Sequence, residues 1–301
     1  MRDSFSDALV AAAVKDPQVL LLTGDHGYAL FDPFRKACPK QYINCGVAEQ
    51  NMVGVAAGLA KAGFRPVVYG LAAFVPIRVL EQIKIDICYE NLGVILIGDG
   101  AGLVYSHLGT SHQSTEDIAC TRCVANLTIL SPADRFEMTA SVEFAFRCKS
   151  PVYLRMGKSD RGDVHNGPLQ LNSTNMICVR KGSNRITILA TGSMVKTAME
   201  LAEDLDFNVW SIPCIKPLPK CQLTEIASCT ERLIVLEEHS IIGGLGSAIS
   251  ELVSEIHPLP ITRLGINDCF SSTCGSWEHL LKEHCIDIAS LKNRLLNELK
   301  I

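Results

Sequence analysis

Residues 44–59 read N-C-G-V-A-E-Q-N-M-V-G-V-A-A-G-L, and Glu49 is the only charged residue among them. Met52, Val55, Ala56 and Leu59 recur at three- and four-residue spacing, which predicts a buried helix running from Val47 to Leu59. Gly54 and Gly58 lie four apart on one face, where another backbone can approach closely. A carboxylate in such a run is costly unless a proton, a cation or a hydrogen bond meets it. Two readings stand at this point. The acid belongs to a first helical turn and is stabilised by the helix dipole, or it is a functional group whose partner lies elsewhere.

On the N-terminal side, residues 4–14 read as a helix and 19–22 as a short buried strand. The strand ends in Thr23-Gly24-Asp25-His26-Gly27, a glycine-rich turn with polar groups. In open α/β sheets, ligands sit beyond the carboxyl ends of strands, at turns of this kind. On the C-terminal side, 65–69 is a strand, 75–89 a helix and 94–97 a strand emptying into Gly98-Asp99-Gly100-Ala101-Gly102. The next loop carries His107, His112, Glu116 and Asp117. Residues 127–130 and 152–154 complete five buried strands alternating with helices, the pattern of a doubly wound parallel sheet.

Composition shifts to Gly, Lys, Ser, Asp and Asn between Met156 and Arg185, which predicts a domain boundary. The first domain is read as 1–160, a linker as 161–184 and a second as 185–301. Strands at 186–190, 209–212 and 233–236, with helices at 194–205 and 243–255, make the second a smaller α/β domain. The fold class is therefore α/β, with two doubly wound domains.

The totals agree with a globular chain. With 301 residues and 48% apolar composition, one large or two smaller cores can form. A net charge of −4 without a basic block argues against nucleic acid. Met1-Arg2-Asp3-Ser4-Phe5 has no apolar signal core, and no run of about 18 uncharged apolar residues occurs, so a soluble, untargeted, membrane-free protein is expected. Thirteen scattered cysteines read as reduced small hydrophobes, which points to the cytoplasm. Cys120 and Cys123 form a C-x-x-C with no second pair at zinc spacing.

The segment G-V-A-E-Q-N-M-V-G-V-A-A-G-L-A at 46–60 resembles the pyrimidine-binding domain of the transketolase family of thiamine diphosphate enzymes. The resemblance continues through F-R-P-V-V-Y at 64–69, G-T-S-H-Q-S-T-E-D-I-A at 109–119 and S-P-A-D at 131–134. It reaches the second domain at I-K-P-L, 215–218, and E-E-H-S-I-I-G-G-L-G, 237–246, in the order of a transketolase's C-terminal half. It implies a pyrimidine-binding domain followed by a transketolase C-terminal-like domain.

It also implies a role for Glu49. In such enzymes a buried glutamate bonded to N1′ of the aminopyrimidine favours the tautomer whose 4′-nitrogen removes the thiazolium C2 proton. His112 matches a histidine that contacts the substrate near that carbon. Asp25 matches an acid in the loop closing round the cofactor, with His26 beside it on the substrate side. Phe74 and Arg78 match residues flanking the pyrimidine pocket, and Leu71 stands where an aromatic ring usually stacks on the pyrimidine. Arg2 and Arg155 match arginines that grip a sugar phosphate, a task suited to the guanidinium fork. His239, in E-E-H-S, reads as structural.

Three other positions depart from the family. Gly100 replaces a histidine, Leu108 an acid that reads substrate hydroxyls, and Ala29 a phosphate-side serine. Together they weigh against ordinary pentose phosphate recognition. Gly98-Asp99-Gly100 and Asn126 mimic the motif that binds magnesium and diphosphate in thiamine enzymes, but Leu127 stands where a second asparagine is needed, so no metal is expected on this chain.

With Met1 opening the chain where the family's diphosphate domain would end, the resemblance implies a split enzyme. A separate N-terminal subunit would bind diphosphate and Mg2+, thiamine diphosphate would be shared, and the assembly would be a dimer of heterodimers acting on a small sugar or sugar phosphate. Ketol transfer from a ketose to an aldose is the expected reaction. A decarboxylating thiamine enzyme, like deoxyxylulose phosphate synthase or pyruvate dehydrogenase, or a non-catalytic scaffold subunit, is the alternative.

Overall fold

The computed structural model describes residues 1–158, 160–171 and 175–300. Among these, twelve strands form two sheets. The first contains β1 (Val19–Thr23), β2 (Tyr42–Asn44), β3 (Arg65–Leu71), β4 (Ile95–Asp99), β5 (Thr128–Leu130) and β6 (Val152–Met156). The second contains β7 (Ile177–Arg180), β8 (Ile186–Ala190), β9 (Asn208–Ser211), β11 (Arg232–Ser240) and β12 (Ile261–Ile266). The remaining strand, β10 (Cys214–Lys216), crosses over and pairs antiparallel with β5, so the first sheet runs β10-β5-β6-β4-β3-β1-β2.

Parallel pairing explains the uninterrupted apolar runs. All five residues of β1 are buried, because helices cover both faces. Alternation then divides them: Leu20 and Leu22 join one core, Val19 and Leu21 another. A third core fills the far face of the second sheet. The core containing Leu20 and Leu22 also holds Leu189, Ile212, Leu233 and Val235, so it runs unbroken from the first sheet to the second. The two domains share a hydrophobic layer.

The helix Glu49–Lys61 buries Met52, Val53, Ala56 and Ala57 against the first sheet and leaves Gly54, Val55 and Gly58 exposed. An ideal Cβ on either glycine would meet nothing within 4 Å, so their close-packing capacity is not used within the chain. The single helix expected over 75–89 is instead a 3-10 turn at Ile77–Val79, a short α turn at Leu80–Gln82 and a π turn at Ile83–Cys88. Four strands also fall outside the sequence-based outline: Tyr42–Asn44, Ile177–Arg180, Cys214–Lys216 and Ile261–Ile266. Ile177–Arg180 lies in the stretch read as linker, where 172–174 are outside the described residues, and pairs antiparallel with β9. Cys214–Lys216 belongs by sequence to the second domain and by pairing to the first.

Family motifs acquire structural reasons here. Asp134 of S-P-A-D caps the helix Arg135–Arg147, accepting from Phe136 N at 3.0 Å and Glu137 N at 2.9 Å. Glu237 accepts from Leu245 N at 2.7 Å and Gly246 N at 2.8 Å at the start of the helix Leu245–Ile256. A Cβ on Gly244 would stand 2.1 Å from Glu237 Oε2 and 2.7 Å from His239 Nδ1, so the glycine lets that helix start come close.

Burial pushes the Glu237 carboxyl up to about 7, against the pull of those two N–H groups. It pushes His239 down to about 4, although Asp117 pulls the other way. Between pH 4.5 and about 7 the folded chain keeps a proton on Glu237 that the unfolded chain has shed, so this acid makes stability fall as pH rises. Between about 4 and 6.5 the unfolded chain protonates His239 and the folded chain does not, so this histidine makes stability rise. Each contribution is on the order of 3 kcal/mol, and the two oppose across the shared window. Urea unfolding at stepped pH is expected to show an added rise in Glu237→Gln and an added fall in His239→Asn. Parallel stability–pH curves for both variants and the native chain would contradict this.

Candidate active site

The carboxyl ends of β1, β3 and β4 lie side by side, with Leu71 of β3 in register with Asp99 of β4. Glu49, the first residue of its helix, is 3% exposed. Its Oε2 accepts from Arg78 Nη1 at 3.0 Å, while Oε1 is buried without a hydrogen-bond partner among the described residues. The Arg78 guanidinium lies 4.1 Å over the Phe74 ring. Phe74 meets His112 edge-on, with ring centroids 5.4 Å apart, and His26 at 6.4 Å. His26 Nε2 is a second buried polar atom without a partner among the described residues. Leu71 supplies the carbonyl that accepts from Phe74 N at 2.8 Å and Val75 N at 2.7 Å, the turn that presents Phe74.

Asp25 leaves β1 at φ 63°, and its carboxylate accepts from Asn44 Nδ2 at 3.0 Å and from the Tyr28 hydroxyl at 2.9 Å. Asn44 first and Tyr28 second hold this exposed carboxyl below its ordinary range. Asn44 heads the deciding stretch, yet nothing in the sequence marks it as Asp25's partner, because contacts between separate strands leave no local pattern.

The structure thus brings Glu49, Arg78, Phe74, His26 and His112 together through contacts along one path. Two buried polar atoms without partners in one cluster mark a place built for an outside ligand, since each such atom costs about 1–3 kcal/mol when left unsatisfied. A carboxylate oxygen beside aromatic and apolar walls suits a flat heteroaromatic ring with a nitrogen that shares a proton. That donor set fits an aminopyrimidine.

Arg155 requires correction. The resemblance assigns it to a substrate phosphate, but it is 2% exposed and its Nε donates to Asp117 Oδ2 at 2.8 Å and Oδ1 at 3.1 Å. Its Nη2 donates to the Glu238 carbonyl at 2.8 Å. A guanidinium so enclosed is a fixed interdomain tie, with no face for a substrate. Arg2 differs: its side chain is 45% exposed, 3.8 Å from Asp99, and lines a cleft of about 700 Å3 that also includes Ala29.

Gly100 has a physical cause. Its φ is +71°, and a Cβ would lie 1.9 Å from the Tyr105 ring, which fills the space a histidine would need. Tyr105 donates to Asp99 Oδ2 at 3.1 Å, and Tyr69 to the same oxygen at 2.6 Å. That carboxylate is engaged by tyrosines, while Asn126 donates to the Cys88 carbonyl at 3.0 Å. No group of three metal-ligating side chains occurs among the described residues. Nor is any described helix long and apolar enough to cross a membrane.

Residues 1–162 match the family described as "Transketolase, pyrimidine binding domain", and 176–291 match "Transketolase, C-terminal domain". The chain belongs to the transketolase family. It is 34% identical over 272 residues to a subunit of the apulose-4-phosphate transketolase of Actinobacillus succinogenes, covering 88% of this chain and 87% of that one. It is 33% identical over 278 residues to the 6-deoxy-6-sulfo-D-fructose transketolase subunit SqwH of a Clostridium species, covering 90% and 85%. Among solved structures, a split gene transketolase described as an inactive beta4 tetramer superposes with a TM-score of 0.91 at 32% identity, covering 99% of this chain and 98% of that one. In this transketolase-family chain the Glu49 cluster lies in the pyrimidine-binding domain, and the fold is that of a thiamine diphosphate-dependent family.

Proposed function

We propose that this chain is the pyrimidine-binding subunit of a two-subunit transketolase that moves a two-carbon ketol unit from a ketose to an aldose. The observation that carries the reading is Glu49: buried, tied to Arg78 through one oxygen and unpartnered at the other among the described residues. When bound, thiamine diphosphate supplies the nucleophilic carbon that receives the two-carbon unit. Glu49 would hold the pyrimidine N1′ through Oε1 and share a proton with it. Arg78 fixes the other oxygen and keeps the carboxylate oriented. Leu71 and Phe74 give the ring apolar contact, and Asp25, held by Asn44, belongs to the surrounding loop. His112, braced against Phe74, would face the substrate, with His26 on the same side.

The relatives named as subunits favour a separate partner, which would bind the diphosphate and its Mg2+. A tetramer of a similar chain favours self-association, and a dimer of heterodimers would complete the sites. Arg2 is the remaining candidate for an anionic substrate group, and Ala29 in the same cleft reduces its hydrogen-bonding capacity. Leu108, 46% exposed on the His112 loop, gives the substrate an apolar neighbour. These features suit a ketose or aldose with fewer hydroxyls at that end.

Mixing decides the matter. The purified chain alone should transfer no ketol unit, and adding a subunit with the family's diphosphate-binding domain should restore turnover. Equal turnover by that subunit without this chain would favour a scaffold and sink the proposal.

A further inference from the structure

The seventeen residues from Gly100 to Glu116, which include His112, leave β4 and return to the helix Asp117–Arg122. The neck of this loop is closed by Gly102 N to Ser114 O at 2.8 Å and Ser114 N to Gly102 O at 3.0 Å. Four hydrogen bonds tie it to the other domain. Glu238 on β11 is 2% exposed, and its Oε1 accepts from Leu103 N at 2.6 Å and from the Trp277 indole at 3.0 Å. Its Oε2 accepts from Ser193 Oγ at 2.6 Å. A Cβ on Gly102, at φ +73°, would stand 2.5 Å from that carboxylate, so the glycine admits the acid against the neck. Ser240 N donates to the Thr115 carbonyl at 2.7 Å. Nearer His112, Ser271 Oγ donates to Gln113 Oε1 at 2.8 Å, and Thr110 Oγ1 donates to the Ser271 carbonyl at 3.3 Å. From the loop's own domain come the Tyr105–Asp99 bond, Ala101 N to the Met156 carbonyl at 3.0 Å, Arg155 Nη2 to the Ser114 carbonyl at 3.4 Å and the Phe74–His112 contact.

We propose that the second domain positions the histidine-bearing loop, with Glu238 as the positioning residue at its neck and Ser271 as a second anchor beside His112. The inference rests on the reading of His112 as the group facing substrate. A buried carboxylate that satisfies three donors from three separate segments fixes their relative placement, because removing it strands all three. A side chain about 1 Å out of place is enough to cost turnover. The domain that touches neither pyrimidine nor Glu49 would thereby set the geometry of one wall of the site.

Hydrogen–deuterium exchange on the full chain tests the anchoring without substrate or partner. Glu238→Ala is expected to speed exchange of amides 103–115 at least tenfold while β1 and β3 amides keep their native rates. Glu238→Gln, which retains an acceptor for Leu103 N–H, is expected to keep most of the protection. Ser271→Ala, at the domain surface, should loosen 109–113 and serves if the Glu238→Ala chain does not fold. Native exchange across the loop in Glu238→Ala, or in Ser271→Ala if that chain must stand in, overturns the proposal. With the diphosphate-binding subunit added, kcat should fall at least tenfold in Glu238→Ala and recover in Glu238→Gln. A loosened loop with native kcat also overturns it. Full turnover in His112→Ala would overturn the reading of the site instead, and would leave the exchange result standing.

Discussion

Glu49→Gln is expected to lower ketol transfer by the partnered enzyme about 10²- to 10⁴-fold, the range a positioned proton-transfer group contributes. The substitution is nearly isosteric and leaves an oxygen that can accept from Arg78. The amide nitrogen, however, cannot take up and return a proton as a carboxylate does. Because the side chain keeps its volume and its oxygen for Arg78, and Oε1 has no partner to lose among the described residues, the loss should come without a change in fold. Circular dichroism and size-exclusion chromatography of the mixed subunits check that point. Native turnover in this variant would remove Glu49 from the chemistry and return it to the reading of an acid stabilised by its helix dipole.

Asp117→Ala should be the most destabilising of these substitutions, by about 3–5 kcal/mol, the cost of leaving a buried partner charge alone. Asp117 has no exposed side-chain surface, and it takes Tyr153 OH at 2.7 Å as well as Arg155 Nε. Burying a charge is expensive unless its partner is present. Arg155→Met should cost less, since the remaining acid can be protonated and still bond Tyr153. Denaturant unfolding of both variants measures the difference. A third variant, Arg155→Lys, separates the two accounts of Arg155. A structural tie predicts a stability loss with an unchanged substrate KM in Arg155→Lys after correction for folded fraction. A phosphate clamp predicts a raised KM with little change in stability.

Much of the fold was legible because parallel strands covered on both sides are uniform apolar runs. The segments at 19–22, 94–97 and 186–190 announced themselves in that way; the observed strands Val19–Thr23 and Ile95–Asp99 differ only at their ends, and Ile186–Ala190 coincides. Cys214–Lys216 was not legible as part of the first sheet, because its pairing with β5 depends on a chain crossing that no local periodicity records. The candidate site divides similarly. Glu49 stood out because one charge in a long apolar run needs a reason. Arg155 misled because a motif fixes residue type but not enclosure, and its partner Asp117 lies 38 positions away. The exchange of histidine for glycine at 100 was visible as a departure, yet its cause, the Tyr105 ring, required three dimensions. Glu238 sat unused within a recognised motif, because its donors, Leu103 N, Ser193 and Trp277, come from three distant segments.

On the proposed function, this chain holds the pyrimidine half of a thiamine site and a second subunit completes it. Isothermal titration of thiamine diphosphate with Mg2+ into this chain, into a diphosphate-binding transketolase subunit and into their mixture addresses this most directly. Tight stoichiometric binding is predicted for the mixture alone, with weak or no heat for either component. Equally tight binding to this chain by itself would contradict the account.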